Sequence, residues 1–356
     1  MPQKIREFTS PVKVVVLGGG FCGTRVAKKL EKKAHLSITL IDRKPYFEYY
    51  PLVYKIPTNT RYINQLRQAY RKILHDTEII IEEISQVTPR LVETKSQQIE
   101  YDILVIATGI AYPIRLQNQT STFSVKSSSD AIKMAAALED ADRILVIGGG
   151  FSGIENAAEL ASKAKDKQVT LVHSQQRLLE RLPLKASKYA ENFLRHYNVQ
   201  IVYDEKVIAH QKNRFTTDKG RIIEADLAIW SAGNKWDPCY LEDFPGSIYT
   251  DNRALKINQF LQLKGYQNIF VGGDVTAVPE EKTAQNAERH ANLISTNIQR
   301  LIAKKPLKKY SLQTRPVVVA LGEWRGILSY QNFVINGCLP GIGKKLVDWW
   351  TLKQYS

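Results

Sequence analysis

The chain has 356 residues, 44% of them hydrophobic, with 50 Lys and Arg against 35 Asp and Glu, which leaves a net charge of +15. This length and composition are typical of a globular protein with two or three domains, each with its own core. No apolar run reaches the roughly 18 residues that a bilayer span needs. The polar start MPQKIREFTSP also lacks the apolar core of a secretory signal. We therefore expect a protein of the cytoplasmic side, either soluble or attached to a surface.

Charge and cysteine content narrow the function further. The excess of positive charge attracts polyanions, such as an anionic membrane, nucleic acid or phosphate-bearing cofactors. The three cysteines, Cys22, Cys239 and Cys338, are far apart and form neither a C-x-x-C metal pair nor a short-loop redox pair. A disulfide framework is therefore not expected, and the sequence predicts no metal site.

The first predicted unit is a strand, a glycine-rich turn and a helix, written VVVLGGGFCGTRVAKKL at Val14–Leu30. Gly18, Gly20 and Gly23 fill a G-x-G-x-x-G pattern, which directs free N–H groups and the positive end of a helix at a pyrophosphate. A second strand, ITLID, ends at Asp42, whose carboxylate is placed to accept the ribose hydroxyls of an adenosine.

An aromatic and proline-rich loop follows at residues 44–59, well suited to lie against a large flat ligand. A polar helix is predicted at about Ile63–Leu74, and a buried parallel strand is predicted in YDILVIATG at Tyr101–Gly109.

The same unit is written a second time, as ILVIGGGFSGIENAAEL at Ile144–Leu160. Its glycines are Gly148, Gly150 and Gly153, and its second strand, VTLVH, ends at His173. The closing strand DLAIWSAG extends the duplication, because it matches the ATG strand in position and character. The alternative interpretation is that the glycines only make tight turns. However, each copy lies between an apolar run and an amphipathic helix, as a dinucleotide fold requires. Two dinucleotide folds predict two bound dinucleotides.

Beyond these units, Asn268–Ile298 is predicted to be a strand, a Gly-Gly-Asp turn and a long helix, and Arg315–Gly337 is rich in strand formers. We therefore predict an α/β fold with two Rossmann-like domains and a small C-terminal α+β segment. The first dinucleotide-binding domain is expected at residues 11–112 and 251–305, the second at 113–250 and the C-terminal domain at 306–356.

The ordered motifs GGGFCG, LID, ATG, GGGFSGIE, SAG, GGDV and KTAQNAE resemble those of the FAD-dependent pyridine nucleotide oxidoreductase superfamily. Within it, the chain is similar to type II NADH dehydrogenases and to the ferroptosis-suppressor branch of the apoptosis-inducing-factor-like proteins. Both are NAD(P)H:quinone oxidoreductases. The resemblance covers nearly the whole chain.

The resemblance implies how the motif residues are used. Gly18, Gly20, Gly23 and Asp42 would hold the pyrophosphate and ribose of FAD, and Asp274 would bond its ribityl chain. The second glycine set would take the nicotinamide dinucleotide. The other expected cofactor-binding residues are Phe21, Arg43, Pro51, Thr108, Gly109, His173, Gly233 and Gly273, with Lys282, Thr283 and Ala284 over the flavin ring.

Three residues are candidates for catalysis by the same resemblance. Glu155 matches an acidic residue near the place where nicotinamide meets flavin, with a solvated helix-start glutamate as the alternative. Gln285 matches the first glutamine of a quinone-side A-Q-x-A-x-Q element, whose last glutamine is Arg289 here. Lys353 lies near the position of a lysine in the ferroptosis-suppressor branch.

The missing cysteine pair also carries information. Disulfide reductases and sulfide:quinone reductases of the superfamily need cysteines beside the flavin, and this sequence has neither constellation. The flavin is therefore expected to hand electrons directly to an outside acceptor.

The C-terminal end is amphipathic. At helical spacing, Leu339, Ile342, Leu346 and Trp349 or Trp350 form one face, flanked by lysines. Tryptophan with lysine is typical of membrane interfaces, so docking on anionic lipid is one interpretation. Closure of a domain core or a homodimer contact are the others.

The leading hypothesis is a FAD-dependent NAD(P)H:quinone oxidoreductase, peripheral on the inner face of a membrane. One alternative is a reductase of a small electron-transfer protein, for which the basic surface suits an acidic partner. The other is a redox-sensing, nucleic-acid-associated flavoprotein resembling apoptosis-inducing factor. No basic motif with interleaved aromatics supports specific nucleic-acid binding.

Donor choice is predicted at His173, which the duplication aligns with Asp42. An acid there favours NADH, whereas its absence removes a repulsion against the 2′-phosphate of NADPH, which Ser174 and Arg177 are placed to contact. A solvent-facing histidine without a role is the alternative. We expect NADPH to be accepted and His173→Glu to weaken NADPH binding. Titration of both proteins with NADPH tests this, and equal affinities would contradict it.

Overall fold

The computed structural model describes residues 11–110, 121–233 and 236–355. The boundary predicted between residues 112 and 113 lies outside them. Two five-stranded parallel sheets with helices on their faces form the body of the molecule. This confirms the predicted α/β class with two Rossmann-like units.

The first sheet is assembled from segments far apart in the chain. Its strands, from edge to edge, are Ile269–Val271, Ile103–Ile106, Val12–Leu17, Leu36–Asp42 and Thr77–Ile81. Val14 pairs with Ile38 on one side and with Ile103 on the other. The apolar side chains of the central strands are fully buried, as continuous apolar runs predict for a sheet covered on both faces.

The second sheet repeats this order. Its strands, from edge to edge, are Thr122–Phe123, Leu227–Trp230, Arg143–Ile147, Gln168–Val172 and Gln200–Val202. Ile144 pairs with Val169 and with Leu227, in the positions that Val14, Ile38 and Ile103 hold in the first sheet. The closing strand predicted at residues 226–233 is therefore confirmed.

In the described part of the chain, three antiparallel meanders lie outside the two parallel sheets. One accompanies each parallel sheet, and a third follows near the C-terminus. Their strands are Ile84–Val87, Leu91–Thr94 and Gln98–Glu100; Val207–Gln211, Arg214–Thr217 and Ile222–Glu224; and Val317–Leu321, Arg325–Tyr330 and Phe333–Gly337.

The helices connect and cover the sheets. The α-helices of the described residues are Phe21–Leu30, Ile63–Leu66, Tyr70–Ile73, Ser128–Glu139, Phe151–Lys163, Leu184–His196, Ala284–Ile302 and Cys338–Gln354. None of these described helices combines the length and apolar character that a bilayer-spanning segment needs.

Two local predictions were wrong. The helix expected at residues 63–74 is broken, because Arg67–Ala69 is extended and pairs antiparallel with Tyr46–Glu48. The loop at residues 44–59, predicted to be irregular, contains the strand Tyr46–Glu48 and a 3₁₀ turn at Tyr50–Lys55 with Pro51 near its start. Pairing between the two segments outweighs the local helix preference of the second.

Packing also bears on the domain boundaries. The 3₁₀ turns Cys239–Leu241 and Gly246–Ile248 contribute to the core cluster that includes Val15 and Leu17 of the first sheet. These turns fall within the range expected for the nicotinamide-binding domain. We propose that the FAD-binding half resumes before Cys239 rather than at residue 251.

Candidate functional site

Both glycine turns have the geometry that their motif predicts. Gly18 and Gly148 have φ values of +90° and +112°, a left-handed region that other residues rarely adopt. A Cβ on Gly23 would lie 1.8 Å from the carbonyl oxygen of Gly18, and a Cβ on Gly153 would lie 1.8 Å from that of Gly148. The third glycine of each motif therefore lets its helix touch the turn.

The second motif glycine faces open space. A Cβ on Gly20 or on Gly150 would meet no atom within 4 Å. Each residue immediately precedes a helix, at the end where free N–H groups and the helix dipole favour an anion. These two cradles fit the pyrophosphate groups of two dinucleotides.

Each turn is also held by a side chain from the end of the following strand. Asp42 Oδ2 accepts a hydrogen bond from the N–H of Gly19 at 2.6 Å. In the second unit, Nδ1 of His173 accepts from the N–H of Gly149 at 3.1 Å. The predicted alignment of His173 with Asp42 is correct, and this buried histidine is not the solvent-facing residue of the alternative interpretation.

Sequence reasoning missed an acid beside this histidine. Glu180 Oε2 lies 3.3 Å from Nε2 of His173. The second strand of this unit ends in a histidine rather than an acid, but a carboxylate from seven residues later lies beside it. Arg177 donates to the carbonyl oxygens of Glu180 and Leu182, which ties its guanidinium to the local turn. The apolar spacing of this segment gave no signal for either contact.

A continuous cavity of about 1850 Å³ joins the two halves and the C-terminal helix. Most of the predicted site residues line it. They are Gly18, Gly20, Phe21, Asp42, Arg43, Pro51, Thr108, Gly109, Glu155, Gly273, Asp274, Lys282, Thr283, Ala284 and Gln285.

Other predicted residues lie outside its lining. Gly23 and Gly153 are buried under their turns, and Gly148, Gly150, His173 and Gly233 follow strands of the second sheet. Lys353 is exposed, and its Nζ lies 4.0 Å from the centre of the Trp349 ring. The tail alignment suggested Lys353 because it could not show which face of the helix meets the cavity.

The lysine of this helix that does reach the cavity is Lys344. Its Nζ donates to Asp348 at 3.1 Å and to the carbonyl oxygen of Pro51 at 3.2 Å. Tyr49 Oη donates to the same carboxylate at 2.7 Å. The loop that carries Pro51 is thereby tied to the C-terminal helix, a contact that no local pattern predicts.

Charged groups meet where the two halves face each other. Glu155 lies one turn inside the second nucleotide helix and accepts a hydrogen bond from the N–H of Ala320 at 3.1 Å. Burial raises its pKa. Lys126 donates to Ser152 on the same helix at 3.0 Å, and burial lowers its pKa to about 8. Such groups can change charge with small changes in their surroundings.

The Gly-Gly-Asp turn carries the other buried acid. Burial raises the pKa of Asp274, against the opposing effect of Lys282 and other nearby cations. Lys282 is held by two backbone carbonyls, and Thr283 caps the helix Ala284–Ile302 by accepting from Asn286. Asp274 and the helix start therefore both face the cavity.

Comparison with known proteins agrees with this geometry. The family model of pyridine nucleotide-disulphide oxidoreductases matches residues 12–291. Among curated relatives, ferroptosis suppressor protein 1 of Taeniopygia guttata is 29% identical, over 94% of this chain and 92% of its own. Apoptosis-inducing factor homolog B of Dictyostelium discoideum is 26% identical, over 94% and 93%.

Two solved structures share the fold over nearly their whole length. Sulfide:quinone oxidoreductase from Aquifex aeolicus has a TM-score of 0.86 and 21% identity, and covers 97% of this chain and 91% of its own. NDH2 from Plasmodium falciparum, solved with NADH, has a TM-score of 0.86 and 16% identity, over 97% and 96%.

Fold and cavity together define an oxidoreductase that binds FAD and NAD(P)H. The chain belongs to the pyridine nucleotide-disulphide oxidoreductase family, as its motifs indicated.

The second and third motif glycines should respond differently to alanine. Gly153→Ala should lower the free energy of unfolding by on the order of 2 kcal/mol, because its Cβ must displace backbone. Gly150→Ala should leave stability unchanged but weaken NADH binding at least roughly tenfold, because its Cβ enters the pyrophosphate cradle. Urea unfolding without added NADH, followed by NADH titration, measures both effects. Equal unfolding curves for the two variants would contradict the close approach at Gly153.

Proposed function

We propose that the protein is an NAD(P)H:quinone oxidoreductase. The observation that carries this proposal is the continuity of the cavity. It runs from the first nucleotide cradle and the start of the second nucleotide helix, at Phe151 and Ser152, past Gln285 to Lys344, Val347 and Thr351 of the C-terminal helix. An acceptor can therefore reach the flavin position from a side that neither dinucleotide fold closes.

When bound, FAD would supply the redox chemistry, as acceptor of a hydride from NAD(P)H and as donor of electrons to the final acceptor. The protein supplies placement and electrostatics. Glu155 and Lys126 set the charge where the halves meet, and Asp274 lies beyond them on the FAD side.

The cysteines support transfer to an outside acceptor. Cys22 and Cys239 line the cavity, but both are free thiols. Burial raises the pKa of Cys22, which disfavours the nucleophilic thiolate that a disulfide relay needs. Sulfide:quinone oxidoreductase, which shares this fold, is named for a quinone acceptor, and the same class of acceptor suits the cavity of this chain.

The acceptor side differs from the expected glutamine pair. Gln285 lines the cavity, whereas Arg289, which replaces the second glutamine, does not. Arg289 turns toward the segment after the helix, where it donates to the carbonyl oxygen of Ser311 at 2.8 Å. We infer that Gln285 alone of these two positions faces the quinone.

An anaerobic absorbance titration tests the proposed reaction. We expect NADH, and also NADPH, to bleach the flavin band, and a short-chain quinone to restore it rapidly. Bleaching without restoration by quinone would contradict the proposal and favour a small electron-transfer protein as the acceptor. Restoration by such a carrier that weakens with salt would support that second function.

We also propose that the C-terminal helix docks on anionic membrane. Leu339, Leu346, Trp349 and Trp350 are 77%, 62%, 57% and 61% exposed, so they do not close the core of this chain. Lys345 and Lys353 stack on the rings of Trp324 and Trp349. Apolar side chains flanked by cations are typical of a surface that enters the interface of an anionic bilayer.

Replacing Leu346, Trp349 and Trp350 together by Gln should reduce sedimentation with phosphatidylserine vesicles at least roughly tenfold, because burying even one such side chain contributes about 1.5–3 kcal/mol. Leu184→Gln is the matched control, since Leu184 is 54% exposed on another helix. If the triple variant instead loses a dimer and keeps vesicle binding, this face is a subunit contact.

A further inference from the structure

A third glycine turn lies where the strand Ile269–Val271 ends. Gly273 has a φ of +73°, and its N–H donates to Nδ1 of His290 at 3.0 Å. As in the two nucleotide turns, a side chain accepts a hydrogen bond from a backbone N–H of the turn. Here the acceptor comes from the helix Ala284–Ile302 rather than from a strand end.

His290 is enclosed by groups that orient its ring. The side chain is 2% exposed, and its ring packs edge-on against Tyr310 with 4.8 Å between centres. Nε2 lies 2.9 Å from Glu280 Oε1, an electrostatic contact whose angle falls short of a hydrogen bond, and Tyr310 Oη donates to the same carboxylate at 2.8 Å. Arg289 stands 3.8 Å from the other carboxylate oxygen.

These contacts determine where the imidazole carries its proton. Because Nδ1 accepts from Gly273, it has no hydrogen, so the single proton of the neutral ring is on Nε2. Glu280 is a suitable neighbour for the Nε2–H group, because an ionised carboxylate can accept a proton donor but cannot donate. Although burial alone acts in the opposite direction, the contacts with His290 and Tyr310 keep the pKa of Glu280 below its ordinary value.

The turn that His290 holds is part of the cavity, whereas His290 itself is not. Gly273 and Asp274 both line it, and Gly272 packs so closely that a Cβ there would lie 2.4 Å from Cys22 Sγ. A shift of the Gly273 amide would therefore move Asp274 relative to the first nucleotide turn.

We propose that His290, oriented by Glu280, is a positioning residue for FAD: its Nδ1 holds the Gly273 amide so that Asp274 faces the cofactor. The proposal depends on FAD binding and not on which acceptor is reduced. Failure of quinone to restore the flavin band would therefore not contradict the role of His290.

Two variants of similar size test the contributions of the two ring nitrogens separately. Asn at position 290 places its amide oxygen near Nδ1 and keeps an acceptor for Gly273, whereas Gln places its amide near Nε2 and keeps only the contact with Glu280. FAD release from diluted holoenzyme, followed by flavin fluorescence, should be at least roughly tenfold faster in His290→Gln than in His290→Asn, because only Gln leaves a buried N–H unpaired. His290→Asn should stay within about threefold of the unaltered protein.

The same pair of substitutions at His173 is the control, because that residue holds the nicotinamide-side turn. Those variants should leave FAD release unchanged. Equal release from the two His290 variants, or faster release from His290→Asn, would overturn the proposal and leave His290 a packing role.

A further variant keeps the test decisive if neither His290 variant folds. Glu280→Gln can donate as well as accept, so it no longer fixes the proton on Nε2. We expect FAD release to be about threefold faster, because part of the population loses the Gly273 bond. Release at the unaltered rate would contradict the proposed orientation by Glu280.

Discussion

The close approach of helix to turn at the third motif glycine is the contact on which the rest of the structure depends. In each half, the glycine Cα lies where any side chain would strike the carbonyl oxygen of Gly18 or Gly148. This contact aims the start of the helix at the ends of the parallel strands, where free N–H groups and the dipole favour phosphate. Both sheets have the same strand order, and the first residues of the two nucleotide helices, Phe21 and Phe151, line one cavity.

The duplicated halves are then made unequal by different side chains at one matched position and by a turn outside the repeat. The turn of the first half is held by a carboxylate, Asp42, and that of the second half by an imidazole, His173. The first half also has the Gly-Gly-Asp turn, with Asp274 at the cavity and His290 behind it. The same backbone framework can therefore hold two different dinucleotides, because the groups that face each ligand differ in charge and position.

The C-terminal segment closes the arrangement and adds a surface of its own. Glu155 receives its hydrogen bond from Ala320, and Tyr49 bonds to Asp348 on the last helix. Tyr355 stacks on Phe47 at 4.1 Å, which anchors the end of this helix to the FAD-binding half. One face of the helix thus completes the cavity while the other presents exposed apolar side chains.

Local sequence patterns were enough to predict the two nucleotide units, their glycine turns, the strand-end positions Asp42 and His173 and the long helix after Asp274. Glycine spacing and apolar runs are local properties that only a few backbone conformations satisfy. Other features depend on packing between distant segments: residues 67–69 are extended, Lys344 rather than Lys353 reaches the cavity, and Lys126, Glu180 and Glu280 lie beside the site residues. Those contacts join segments distant in the chain, so no local pattern carries them.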